Sequence, residues 1–97
     1  MKTYTFHTDP GHGWLAVKRQ ELEKLGLLKE ISPYSYQRGQ TVYLEEDSDA
    51  NTFIKALEAN GIEFKYKESY QERSPVRSYD NYEYERTIWN PKNLQNY

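Results

Sequence analysis

The stretch ISPYSYQRGQTVYLEE, Ile31 to Glu46, decides the fold. Two runs of alternating character meet at Arg38-Gly39, and a period of two interrupted by glycine marks a tight β-hairpin. With those two residues as the loop, Gln37 opposes Gln40, Tyr36 opposes Thr41, Ser35 opposes Val42 and Tyr34 opposes Tyr43. Opposed residues share a face. Val42 and Leu44 therefore lie with Ile31 and Pro33 on one side, the expected core side, and Tyr34, Tyr36 and Tyr43 lie on the other.

Working outward, DSDANTFIKALEANG (Asp47 to Gly61) reads as the best helix: Ser48 or Asp49 caps it, Phe53, Ile54 and Leu57 form an apolar stripe, and Asn60-Gly61 stops it. Ile62 to Glu68 alternates as a strand with Ile62, Phe64 and Tyr66 inward. Upstream, KRQELEKLGL gives a short helix ending at Gly26. Lys2 to His7 is a half-buried strand, Trp14 to Val17 is another, and TDPGHG turns between them, with Pro10 fixing one dihedral and Gly11 and Gly13 permitting positive ones. The expected fold is α+β: a small, mostly antiparallel sheet with two helices on one face, in the order strand, strand, helix, hairpin, helix, strand. Periodicity fades after Ser69, so residues 1–69 form the expected domain and residues 70–97, with five tyrosines, an extended arm.

Ninety-seven residues allow one domain, and 10 Tyr, 3 Phe and 2 Trp make its core aromatic. The absence of cysteine excludes disulfide scaffolds, thiolate metal sites and cysteine nucleophiles. No apolar run is long enough for a membrane span, and MKTYTFHTD lacks the apolar stretch of a signal peptide, so a cytoplasmic protein with no membrane partner is expected. Charge is uneven: residues 1–40 sum to +2, residues 41–85 to −6 and residues 86–97 to +2. The acidic middle opposes nucleic-acid phosphates.

Four groups of residues carry candidate chemistry. SPVRSYDNYEYER (Ser74 to Arg86) interleaves Tyr79, Tyr82 and Tyr84 with Asp80, Glu83 and Glu85, and tyrosine beside carboxylate suits contact with a basic partner. Glu45, Glu46 and Asp47 add acids to that surface, and the dipole of the following helix also accounts for acids there. The sheet face away from the helices carries Tyr34, Tyr36 and Tyr43 with Lys65 and Lys67, where rings could stack bases and ammonium groups meet phosphates. His7, Asp9 and His12 are ligand types for zinc or iron, but no further histidine or cysteine completes such a site, so no metal and no cofactor is assigned. No phosphate loop or serine elbow occurs, and a noncatalytic role is expected over an enzyme.

The blocks FHTDPGHGWLAV, SPYSYQRGQTVYLEEDSDA and SPVRSY resemble a family of small, mostly uncharacterised proteins of phages, prophages and plasmids, over roughly residues 3–80. The resemblance supplies no site residues. It implies a mobile-element accessory protein in a bacterial host's cytoplasm. With the acidic and tyrosine-rich residues, it leads to an expected role as an interaction protein, an inhibitor of a host defence complex of the anti-CRISPR or anti-restriction kind that binds a basic protein surface. Binding of single-stranded nucleic acid or nucleotide on the open face is the alternative, and a small metal-dependent enzyme at the HTDPGH turn the third reading.

Overall fold

A computed structural model of the chain describes residues 1–84. In it β1 (Lys2–Thr8) turns into β2 (Gly13–Lys18), α1 (Arg19–Lys24) follows, and β3 (Tyr36–Arg38) and β4 (Thr41–Glu45) form the hairpin. Then come α2 (Asp49–Ala59), β5 (Phe64–Tyr70), a 3-10 turn at Pro75–Ser78 and the short β6 (Asp80–Asn81). The fold is α+β, with one six-stranded sheet ordered β5-β1-β2-β4-β3-β6.

The sheet is mixed: β5 runs parallel to β1, and the other pairings are antiparallel. The crossover through α2 carries the chain from the end of β4 back to the end of the sheet where β4 began, so β5 follows the direction of β4, which is also that of β1. The sixth strand comes from the arm, where Asn81 opposes Tyr36 and Asp80 opposes Gln37.

The hairpin loop lies one residue later than expected, at Gly39-Gln40, because Gly39 takes a φ of +59° that a side chain disfavours and so opens the turn. Tyr36 therefore opposes Tyr43 and Gln37 opposes Val42. Partners shift by two and every residue keeps its face. Tyr34 falls before the strand and is 79% exposed.

Both helices pack on the face bearing Tyr4, Leu15, Val17, Val42 and Leu44, contributing Leu22 from α1 and Ala50, Phe53 and Leu57 from α2. Each large side chain buried there contributes about 1.5–3 kcal/mol of transfer free energy. The core reaches β5 only at its first residue, Phe64. Phe64 is half-buried, while Ile62 and Tyr66, expected inward, are 38% and 57% exposed: Ile62 falls before the strand, and Tyr66 lies on β5, the edge of the sheet.

The arm then wraps the sheet. Gln71 N–H donates to Thr8 O at 2.9 Å beside β5, and the chain crosses the helix-free face to reach β3 on the opposite side. Val76 is buried in that crossing, and Tyr79 lies against Tyr43 with ring centroids 5.1 Å apart. Beyond β6 the chain returns to the helical face, where Tyr82 joins the core and its hydroxyl donates to Leu28 O. Among the described residues no helix is long and apolar enough to cross a membrane.

Candidate functional site

Strand alternation sends Trp14, Tyr36 and Glu45 to the helix-free face, at the end where β1 leads into the TDPGHG turn. Trp14 opposes Glu45 across β2 and β4, and the Trp14 and Tyr36 rings meet edge to face with centroids 6.1 Å apart. Tyr34 borders the same space. Together with His12, Arg77, Asp47 and Ser48 these residues line a cleft of about 480 Å³.

The walls are tied down by two carboxylates. Glu45 serves the amino end of α2: Ser48 and Asp49 N–H donate to Oε1 at 2.7 and 3.0 Å, and Asp47 N–H donates to Oε2 at 2.9 Å. Ser48 makes no side-chain cap bond. Asp49, the other expected cap, turns away and accepts from Ser32 N–H and from the Ser32 and Ser35 hydroxyls, which pins the start of the hairpin to α2.

Asp9 is the second tie. Its carboxylate accepts from Gly11 and His12 N–H at 2.9 and 3.0 Å, from Ser74 N–H at 3.2 Å, and from Arg77 through Nε at 2.6 Å and Nη2 at 2.9 Å. The Arg77 fork, aided by the three backbone donors, holds the Asp9 carboxyl well below the usual carboxylate range. Arg77 also lies over the Trp14 ring at 5.3 Å. Gly11 and Gly13 have no positive φ. A Cβ on Gly11 would come within 2.6 Å of Arg77 Nη2 and displace the guanidinium, and one on Gly13 would come within 2.6 Å of the Phe6 ring.

His7, Asp9 and His12 are not brought to a common point. His7 packs edge-on to Tyr43 at 5.7 Å, and burial lowers its pKa. His12 Nδ1 lies 3.6 Å from a Glu46 oxygen beside the Trp14 ring. Among the described residues no group of three His, Cys, Asp or Glu is placed to hold a metal.

The arm residues divide. Tyr82 is 3% exposed, Tyr84 is half-buried with Lys29 Nζ 5.4 Å from its ring, and Tyr79 is half-buried between Tyr43 and Arg38. Asp80 and Glu83 are exposed, and Glu85 lies outside the described residues. Lys65 and Lys67 share the helix-free face with Tyr36 and Tyr43. Tyr36 and Tyr43 are half-buried against Trp14 and the arm, and the exposed Tyr34 shares the cleft with Tyr36 but not with Tyr43.

Sequence reasoning missed Arg77 and Trp14 as cleft walls. A signal for the first was present: Asp9 lies in FHTDPGHGWLAV and Arg77 in SPVRSY, and an acid and a base in two such blocks are candidates for each other. The chain matches no model of a known protein family, no curated protein and no solved structure, so its site is read from its own geometry.

Proposed function

We propose that the chain is a noncatalytic interaction protein that receives a basic side chain of a protein partner in the cleft between Tyr34 and Asp47. The observation carrying this reading is the cleft itself, which Trp14, Tyr34 and Tyr36 line together with Glu45 and Asp47. An arginine entering it finds an exposed ring face for its plane and acids for its charge, the combination that favours guanidinium groups at protein interfaces. Arg77, the cation already in the wall, is paired with Asp9, and among the described residues neither Glu45 nor Asp47 forms an ion pair. The wall also holds a precedent, since Arg77 stacks on Trp14 as the incoming side chain would on Tyr34.

This reading moves the partner surface from the arm tyrosines to Tyr34, Glu45 and Asp47. Under the resemblance to proteins of phages, prophages and plasmids, the partner is a host complex with a basic surface, and the chain inhibits it by occupancy. Calorimetric titration with an arginine-rich peptide and with its glutamate counterpart tests the cleft. The arginine peptide binds, Tyr34→Ala and Asp47→Lys each weaken it at least fivefold, and the glutamate peptide does not bind. Equal binding of the two peptides overturns the reading.

A further inference from the structure

The opposite end of the same sheet face has the reverse character. Lys65 lies beside Thr3 in the β5–β1 register. Continuing the β1–β2 register by two residues from the Thr5–Ala16 pair sets Thr3 beside Lys18. Lys18 opposes Thr41, and Thr41 opposes Arg38. One row across five strands thus reads Lys, Thr, Lys, Thr, Arg, with Lys67 beside Thr5 in the next row. At about 4.8 Å per strand the row is roughly 19 Å long, and its cations recur about every 10 Å.

Along this row lies a shallow groove of about 370 Å³, lined among others by Thr3, Thr5, His7, Lys18, Thr41 and Tyr43. Its single lining carboxylate, Glu21, is engaged by Lys2 Nζ at 2.9 Å, by the Tyr4 hydroxyl and by Lys18 N–H. Among the described residues no ion pair involves Lys18, Lys65 or Lys67. The one acid within β5 is turned elsewhere: Glu68 shares the helical side with Phe6 and accepts from the Thr8 hydroxyl at 2.6 Å.

We propose that this row is a binding site for the phosphate backbone of single-stranded nucleic acid, separate from the cleft and independent of its reading. Cations spread in a line, with threonine hydroxyls as neutral donors between them, match a ligand whose negative charge repeats along its length. A lone phosphate group calls instead for cations converging on one point. The Tyr43 ring at the groove margin offers an edge for a base, while Tyr79 and Arg38 bound the row where the arm crosses.

Fluorescence anisotropy with a labelled 20-nucleotide oligothymidylate, titrated between 20 and 200 mM NaCl, tests the site. The intact chain binds at 20 mM NaCl, with a slope of log affinity against log salt of about −2 for three backbone contacts. Joint replacement Lys18→Ala, Lys65→Ala and Lys67→Ala lowers affinity at least tenfold and flattens that slope, while Lys55→Ala on α2 changes neither. Circular dichroism establishes that both variants fold. No binding by the intact chain at 20 mM NaCl, or binding that survives the triple replacement, overturns the proposal. Loss of oligonucleotide binding leaves the arginine-peptide titration unaffected, so the two sites are judged separately.

Discussion

Arg77 reaches back across the sequence to Asp9 and grips both carboxylate oxygens, with Nε 2.6 Å from Oδ2 and Nη2 2.9 Å from Oδ1. This contact fastens the arm to the first turn of the chain and forms one wall of the cleft. Because the Asp9 pKa is lowered on folding, the folded chain holds fewer protons there than the unfolded chain as pH falls. The stabilisation is complete above the unfolded value of about 3.9 and is lost as pH drops from there toward the lower folded value. Thermal unfolding followed between pH 2 and pH 7 is expected to show this loss in the native chain. Asp9→Asn melts lower at pH 7 and has a flatter acid limb.

Gly13 is expected to tolerate nothing larger. Gly13→Ala forces the Phe6 ring aside and destabilises by about 1–3 kcal/mol in urea unfolding, as overpacking does. A neutral result would mean that the ring has room to yield.

Two tyrosines of the candidate surfaces should behave in opposite ways. Tyr82 is in the core, so Tyr82→Ala costs about 3–5 kcal/mol. Tyr34 is 79% exposed, and Tyr34→Ala changes stability by less than about 0.5 kcal/mol. Chemical denaturation of the two variants side by side checks both values, and a small loss for Tyr82→Ala would detach the arm from the core.

Glu45 is expected to reveal its capping role in the same assay. Glu45→Ala leaves three N–H groups at the start of α2 without their acceptor and lowers stability by about 0.5–2 kcal/mol. Glu46→Ala, one residue along, has little effect on folding.

The hairpin, both helices and the separation of Val42 and Leu44 from Tyr36 and Tyr43 were legible because alternation and helical spacing are local signals. The loop position was missed by one residue because it depends on which position needs a positive φ, and Arg38-Gly39 and Gly39-Gln40 both contain Gly39. The parallel pairing of β5, its exposed Tyr66 and the path of the arm depend on contacts between distant parts of the chain. No window around Phe64 or Arg77 contains them. Charge misled in a specific way: the −6 of residues 41–85 describes a segment, whereas a ligand meets a face. Strand alternation places Lys65 and Lys67 on a face with Lys18 and Arg38, and turns Glu68 to the other side.

The cleft is tested most directly by nuclear magnetic resonance titration of the labelled chain with an arginine-rich peptide. The predicted result is saturable shift changes confined to residues 12–14, 34–36, 45–48 and 77, including the Trp14 indole N–H, and their loss in Asp47→Lys. Shifts centred instead on Lys18, Lys65 and Lys67, or no saturable shift at all, would contradict the account.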